Sequence, residues 1–90
     1  MNKKKVKLEL AVNDILKDAQ KDKDKINGSI NWGDLQCVSV EMITDSEGNN
    51  KYRVYVEEAE PDCKELIEYI EDELFLSGWN DNIIEIITEW

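Results

Sequence analysis

The sequence of 90 residues contains no histidine, which argues against a zinc site. Histidine is a common zinc ligand, and only two cysteines, Cys37 and Cys63, remain as soft ligands, without a Cys-x-x-Cys pair. The segment DKDKING (22–28) places Gly28 at its seventh position, whereas an EF-hand calcium loop needs glycine at the sixth. We therefore expect no metal site and no other cofactor.

The residues that usually carry catalysis are also lacking. Without histidine the usual general base is missing, and no serine or cysteine has a plausible base beside it in the sequence. Neither GxGxxG nor GxxxxGK[ST], two common phosphate-binding loops, occurs. A pair of carboxylates could hydrolyse a glycoside, but this reaction needs a deep cleft that so short a chain seldom builds. We predict that the protein is not an enzyme and has no catalytic residues.

Cysteines and long apolar runs are scarce. No apolar run approaches the length of about 18 residues that a membrane span needs. A small secreted domain usually has more than two cysteines, so we expect two free thiols in a reducing compartment, with a disulfide or redox pair as the alternative. The start, MNKKKVKLELAV, lacks the apolar core of a signal peptide. These features favour a single domain over 1–90 that stays in the cytoplasm.

Positive charge is scarce after residue 25. Residues 1–25 hold eight lysines and five acidic residues, a net charge of +3, whereas residues 26–90 hold three basic and sixteen acidic residues, a net charge of −13; together they give −10. Such a surface repels phosphates and attracts basic proteins. We expect a basic protein partner, without direct contact with nucleic acid or a membrane. Residues 1–5 are expected to form a flexible basic tail.

The spacing of apolar residues predicts five elements. Helical spacing predicts a helix over most of 8–21, although alternation over 6–12 leaves a short strand before that helix as an alternative. Alternating apolar residues on both sides of the turn DSEGNN predict a hairpin. A second helix and a final β-branched strand follow. The hairpin strands, the second helix and the final strand are predicted at 35–44, 51–58, 61–76 and 82–90.

This order predicts an α+β fold. The elements form a three- or four-stranded, mostly antiparallel sheet with two helices on one face, in the order αββαβ. If 6–12 is a strand, the order becomes βαββαβ, a ferredoxin-like arrangement. Alternation places Val38, Val40 and Met42 on one strand face and leaves Cys37 on the other, partly exposed. Tryptophan at the end of an element usually fills the edge of a small core, and we expect this of two among Trp32, Trp79 and Trp90.

The predicted second helix carries two stripes of opposite character. Pro61 suits a first helical turn, and Asp62 with Glu65 three residues later resembles a capping box. One stripe is apolar, with Cys63 as a buried and inert thiol in its middle, and comprises Cys63, Leu66, Ile67, Ile70 and Leu74. The opposite stripe is acidic and faces solvent or a partner.

Acidic residues concentrate in the segment EEAEPDCKELIEYIEDE, residues 57–73. Nine of its seventeen positions are Asp or Glu, against one lysine. Like charges three or four positions apart on a helix repel one another, so folding alone gains nothing from this density, although solvated acidic faces are also common. We predict a partner-binding surface that comprises Glu57, Glu58, Glu60, Asp62, Glu65, Glu68 and Asp72.

Three phrases, NWGDLQCVSVE (31–41), RVYVEEAEPDC (53–63) and GWNDNIIEIITEW (78–90), resemble a group of small acidic proteins encoded in phages and prophages. The group shares Asn-Trp-x-Asp-Leu, Glu-Glu-Ala-x-Pro-Asp-Cys and Thr-Glu-Trp motifs in this order. The resemblance implies a phage protein in the cytoplasm of a bacterial host cell. It implies no activity, so no functional residue is carried over from it.

Together these features predict a non-enzymatic acidic binding protein of phage or prophage type. Its predicted role is to inhibit a basic host nucleic-acid-binding or defence protein, as an anti-CRISPR protein or DNA mimic would. One alternative is an immunity protein or antitoxin against a basic toxin. Another is a small structural or assembly module whose sheet face or edge pairs with itself, so that the chain forms a homo-oligomer.

Overall fold

A computed structural model describes residues 3–90, apart from the side chain of Asp81. Two α-helices and three strands follow one another in the order αββαβ, so the predicted α+β class and element order are confirmed. Short 3-10 turns at Lys23–Lys25 and Asp81–Ile83 follow the first helix and precede the last strand. The main elements are α1 (Lys3–Lys21), β1 (Gln36–Thr44), β2 (Asn50–Glu57), α2 (Lys64–Leu76) and β3 (Ile84–Glu89).

The three strands form one mixed sheet in the order β1-β2-β3. β1 and β2 form an antiparallel hairpin, whereas β2 and β3 are parallel. Parallel neighbours need a crossover connection, and α2 provides it between β2 and β3. The sheet is therefore evenly mixed rather than mostly antiparallel, because the crossover returns β3 in the direction of β2.

α1 begins earlier than its apolar pattern predicts. Residues 6–12 are helical, so the short strand and the ferredoxin-like alternative are not formed. Leu8, Val12 and Ile15 lie on the stripe that packs into the core, and this helical spacing prevails over the alternation. Lys3–Lys5 form the first turn of α1, so the expected flexible tail is not found there; residues 1 and 2 lie outside the described residues.

A bulge in β1 changes which of its side chains face the core. The pairing shifts between Cys37 and Ser39, which leaves Val38 as the extra residue. Cys37 and Val40 are therefore both buried, while Val38 is 37% exposed. The expectation of a partly exposed Cys37, with Val38 facing the core, is wrong because a bulge interrupts strict alternation.

The bulge is held by a side chain of α1. The backbone N–H of Cys37 donates a hydrogen bond to Asn13 Oδ1 (2.9 Å), and Asn13 Nδ2 donates to the Cys37 carbonyl (3.5 Å). Unpaired groups at a sheet edge can template pairing with another chain, and covering the edge is one way in which proteins prevent it. Asn13 thus satisfies backbone groups of edge strand β1 beside the bulge.

Both helices pack on one face of the sheet, and the core lies between the two layers. Val54 and Val56 of β2 are fully buried, as are Leu66, Ile70 and Leu74 of α2, whereas Met42 at the far end of β1 is 50% exposed. Trp32 and Trp79 pack against this core, and Trp90 is 62% exposed. Two of the three indoles therefore fill core edges, as predicted.

α2 begins at Lys64, three residues later than predicted. Asp62 has a positive φ of 56°, and Cys63 occupies the N-cap position without a side-chain capping bond. The predicted capping box between Asp62 and Glu65 is therefore wrong, and Pro61 precedes the helix. The backbone N–H of Cys63 instead donates to Thr88 Oγ1 of β3 (3.0 Å), so a strand provides the acceptor that a capping side chain would provide.

Gly28 lies against the start of α2. Its φ of 133° is a conformation that residues with a Cβ rarely adopt, and a Cβ there would lie 2.6 Å from Cys63 Sγ. The buried Cys63 thiol, which is 1% exposed, thus fixes how closely the loop after α1 approaches α2.

We predict that Gly28→Ala destabilises the protein by about 2–3 kcal/mol, because it adds both backbone strain and overlap with Cys63. Gly48→Ala is the matched control, since Gly48 also has a positive φ (84°) but a Cβ there meets nothing within 4 Å; we expect it to cost about 1 kcal/mol. Urea denaturation measures both. If overlap with the Cys63 thiol contributes, Gly28→Ala lowers the free energy of unfolding by less when Cys63 is also replaced by alanine. An equal loss of stability with and without the thiol would show that the overlap does not contribute.

Candidate functional site

The candidate site is an acidic surface, and α2 supplies its centre. Glu65, Glu68 and Asp72 are exposed on the side of α2 that faces away from the core. The apolar residues of the helix recur on the opposite side, so burying them turns these three carboxylates towards solvent. We call Glu65, Glu68 and Asp72 the acidic stripe.

A groove runs between the acidic stripe and the end of α1. Its volume is about 280 Å³, and Asp22, Lys25 and Ile26 line its α1 side, facing the acidic stripe and Tyr69. The Tyr69 hydroxyl donates a hydrogen bond to Asp22 Oδ2 (3.4 Å). Partial burial, and then the nearby Asp22 carboxylate, raise the pKa of Tyr69, so it stays a neutral donor. This bond links the two helices at the groove.

Asp22 was not among the predicted site residues. It lies in a charged segment, DAQKDKDK (18–25), where the sequence alone does not distinguish it from its neighbours. Its place beside Tyr69 results from the tertiary packing of α1 against α2. The sequence signal that could have identified it is weak, because the register between two helices is set by their packing.

A second groove extends the acidic surface towards the loop before α2. Its volume is about 240 Å³, and Glu60, Asp62 and Glu65 line it together with Lys64. Glu65 lines both grooves and so joins the acidic stripe to this loop. The structure therefore brings five of the seven predicted residues into one surface: Glu60, Asp62, Glu65, Glu68 and Asp72.

Glu57 and Glu58 lie apart from the two grooves. Glu57 follows the inward-facing Val56 in β2, so alternation turns it to the sheet face opposite the helices. Glu58, whose φ is 74°, accepts a hydrogen bond from Asn31 Nδ2 at its Oε2 (3.3 Å). The structure does not bring either carboxylate to the acidic stripe.

The loop over 58–62 is tied to two neighbouring segments. The Asn31 N–H donates to the Glu58 carbonyl (2.8 Å), and the Glu60 N–H donates to the Ser29 carbonyl (2.8 Å). Ala59 is fully buried, and its N–H donates to the Glu89 carbonyl at the end of β3 (3.2 Å). These bonds fix the backbone, so the loop presents Glu60 and Asp62 from a defined position.

Thr88 anchors the same loop from beneath. Its side chain is buried (3% exposed), and its hydroxyl donates to the Glu60 carbonyl (2.7 Å) while it accepts from the Cys63 N–H (3.0 Å). One hydroxyl thus satisfies groups on both sides of Pro61 and Asp62. Because both bonds are sheltered from water, the loss of this side chain would leave two backbone groups without partners.

The charge of this surface is only partly offset. Lys25 and Lys64 line the two grooves, whereas the ion pairs Lys21–Asp18, Lys51–Asp45 and Arg53–Glu85 all lie elsewhere. Within the part of the chain that the structure describes, no three Asp, Glu or Cys side chains converge closely enough to hold a metal ion. The residues that line the two grooves therefore carry a net negative charge.

Both thiols are free and buried. Burial chiefly raises the pKa of Cys37 to about 12, and Glu9 raises it further, against a lowering contribution from the Ser39 backbone. Burial also raises the pKa of Cys63. Nucleophilic attack requires the thiolate, so neither cysteine is poised for catalysis or redox exchange near neutral pH.

Comparison with protein-family models, with curated proteins and with solved structures finds no match to this chain. No helix in the described part of the chain combines the length and the apolar character that crossing a membrane demands. The similarity to small acidic phage proteins remains an expectation from the sequence.

We predict that Thr88→Val destabilises the protein by about 1–3 kcal/mol in urea denaturation, because it leaves the Glu60 carbonyl and the Cys63 N–H unpaired. Thr44→Val is the matched control, since the Thr44 hydroxyl is exposed and donates only to Asn50 Oδ1 (3.3 Å); its effect should stay within about 0.5 kcal/mol. Equal effects of the two substitutions would contradict the anchoring role of Thr88.

The raised pKa of Cys37 makes the free energy of unfolding depend on pH. The pKa of Cys37 is about 12 in the folded protein and near 9.0 when unfolded, so the folded state retains the proton longer as pH rises. This contribution to stability is complete below pH 9 and is lost between pH 9 and about 12. We expect the free energy of unfolding to fall across that window. At pH 8, we expect an aromatic disulfide reagent to label the two thiols only after denaturant is added. Rapid labelling of the native protein would contradict burial.

Proposed function

We propose that the chain is a non-enzymatic binding protein whose acidic surface occupies the nucleic-acid groove of a basic protein. The observation that carries this proposal is the continuity of the acidic stripe with Glu60 and Asp62 through Glu65, which lines both grooves. A basic groove that binds phosphates presents cationic side chains in a row, and a row of fixed carboxylates matches it.

The spacing of the carboxylates supports mimicry of a nucleic-acid strand. α2 has 13 residues and is therefore about 20 Å long at 1.5 Å per residue. Glu65, Glu68 and Asp72 succeed one another at intervals of about 4.5 and 6 Å along this axis. One strand of B-DNA carries a phosphate about every 3.4 Å of helix axis, so the two charge densities are of the same order.

The arrangement is costly for folding, which also supports a functional role. Like charges three or four positions apart on a helix destabilise it by a few tenths of a kcal/mol per pair. Asp62 adopts a positive φ of 56°, a conformation that costs up to roughly 1–2 kcal/mol for a residue with a Cβ. The repulsion between the carboxylates does not contribute to the core. A surface that binds a partner explains why a loop of this shape carries acids.

The phage setting that the sequence suggests determines the kind of partner. In that setting the basic protein is a host nucleic-acid-binding or defence protein, such as a CRISPR effector, and the chain inhibits it by competing with its nucleic acid. Long-range attraction between the net charge of −10 and a basic groove accelerates association and weakens as salt rises.

The decisive experiment reverses the acidic stripe. We predict that Glu65→Lys, Glu68→Lys and Asp72→Lys together weaken binding to the basic partner by at least about 100-fold, because close interfacial charge pairs couple by roughly 1.5 kcal/mol or more each. The partner is captured from bacterial host lysate at low salt. Its affinity for the chain is then measured by calorimetry, and its affinity for duplex DNA is measured with and without the chain.

The matched control changes the net charge equally at exposed acids outside the grooves, with Asp14→Lys, Asp18→Lys and Glu47→Lys. We expect this variant to bind within about tenfold of the unchanged chain, since only screened long-range attraction is lost. The proposal fails if both triple variants bind equally well. It also fails if the captured protein binds DNA equally well in the presence of the chain.

A further inference from the structure

The end of the molecule away from the acidic grooves is basic. Lys3, Lys4 and Lys7, in the first turns of α1, line a cavity of about 580 Å³ together with Ser77, Gly78 and Trp79, which follow α2. Four lysines fall within the five positions 3–7, and the first acidic residue of α1 is Glu9. The chain is acidic as a whole, so this concentration of positive charge is local.

Exposed apolar side chains adjoin the lining residues along both helices. Phe75 and Leu76, which directly precede Ser77, are 64% and 75% exposed. Val6 and Leu10, one helical turn apart on α1, are 44% and 61% exposed. Most large apolar side chains of this chain are buried, so four exposed ones beside a lysine-lined cavity form a distinct surface. We call this surface the basic apolar end.

The lysines are not needed to complete the neighbouring helix. The carbonyls of Glu73, Leu74 and Phe75 at the end of α2 already accept hydrogen bonds from backbone N–H groups of Ser77, Gly78 and Trp79. Lysines in the first turn of α1 oppose its helix dipole, which favours acidic residues there. The same lysines lie beside the C-terminus of α2, where positive charge interacts favourably with the helix dipole, so the two helix ends have opposite effects on the stability of this charge.

The two charged surfaces lie at opposite ends of the helix pair. α1 and α2 run antiparallel, since Asp22 at the end of α1 bonds Tyr69 while Lys3 and Lys7 at its start lie beside Gly78. The molecule is 39 Å along its longest axis. Asp72, the nearest residue of the acidic stripe, is six residues before Gly78, or about 9 Å along α2, which is close to the screening length of about 8 Å at physiological salt, so screening weakens its effect at the basic apolar end without removing it.

We propose that the basic apolar end binds the surface of an anionic lipid bilayer. Lysines near an anionic leaflet are attracted to its headgroups, while exposed Phe and Leu side chains insert at the boundary between headgroups and acyl chains. The bound protein lies on the membrane without spanning it. This proposal is independent of the proposed inhibition and differs from the expectation, drawn from the sequence, that a membrane is no partner of this chain.

A second copy of the chain matches this surface less well. Two basic apolar ends placed together would oppose lysine to lysine. The groove beside the acidic stripe offers carboxylates, but none of the exposed large apolar side chains in the described residues lines it. An anionic bilayer supplies both the negative charge and the apolar layer that Phe75 and Leu76 need.

Vesicle co-sedimentation tests the proposal. We expect the chain to bind vesicles of phosphatidylcholine with about 30% phosphatidylglycerol, and to bind vesicles of phosphatidylcholine alone at least about tenfold more weakly. Raising NaCl from about 50 to about 500 mM should remove most of the difference. Lys3→Glu with Lys7→Glu, and separately Phe75→Ser with Leu76→Ser, should each reduce binding to the anionic vesicles by at least about tenfold.

Matched variants at the other end serve as controls. Lys17→Glu with Lys23→Glu changes the charge equally at exposed lysines, and Trp90→Ser removes an indole that is 62% exposed. Both should bind as the unchanged chain does. Equal losses in control and test variants would overturn the proposal, as would absence of binding to the anionic vesicles. Sedimentation velocity without lipid provides a further test: concentration-dependent association that the test variants abolish would assign this end to self-association instead.

Discussion

The Thr88 hydroxyl joins the end of β3 to both sides of the turn that begins α2, since it donates to Glu60 and accepts from Cys63. A parallel β2–α2–β3 unit has no hairpin to fix its strands, so the chain must be held where the crossover starts. Here Thr88 provides the acceptor for the first helical turn, and Glu89 receives the N–H of Ala59 beside it. The position of the acidic loop, and hence its continuity with the acidic stripe, depends on this junction. The same contacts that close the fold therefore shape the candidate site.

Separation of charge follows from the antiparallel packing of the two helices. Their apolar stripes fix which faces meet the sheet, and this leaves the lysines at the start of α1 beside the end of α2. The acids at the start of α2 then lie beside Asp22 at the end of α1. In sequence the charge imbalance is a difference between 1–25 and 26–90; in three dimensions the lysines at the start of α1 and the acids at the start of α2 lie at opposite ends of the helix pair.

Local patterns predicted the elements well, because the spacing of apolar residues in strands and helices of this size shows which side of the element is buried. The α+β order, the apolar stripe of α2 and the exposure of Glu65, Glu68 and Asp72 all follow from that spacing. Features that depend on contacts between distant segments were missed. Asn13 bonds the backbone of Cys37 beside the bulge, Thr88 bonds the backbone of Cys63 at the start of α2, and Asp22 bonds Tyr69 in the groove. Lys3 and Lys7 lie beside the turn after Leu76 because α1 packs against α2, and no local pattern in the sequence predicts this proximity.

The two proposed surfaces are compatible in geometry. A protein that rests on an anionic leaflet through its basic apolar end would direct its acidic grooves away from the membrane, because the surfaces lie at opposite ends of the helix pair. Anionic headgroups repel the acidic stripe, so attraction at one end and repulsion at the other would favour this single orientation. The acidic surface would then stay accessible to a basic partner. Conversely, a partner bound at the acidic stripe would leave Phe75, Leu76 and the lysines uncovered, so neither contact requires the other to be released.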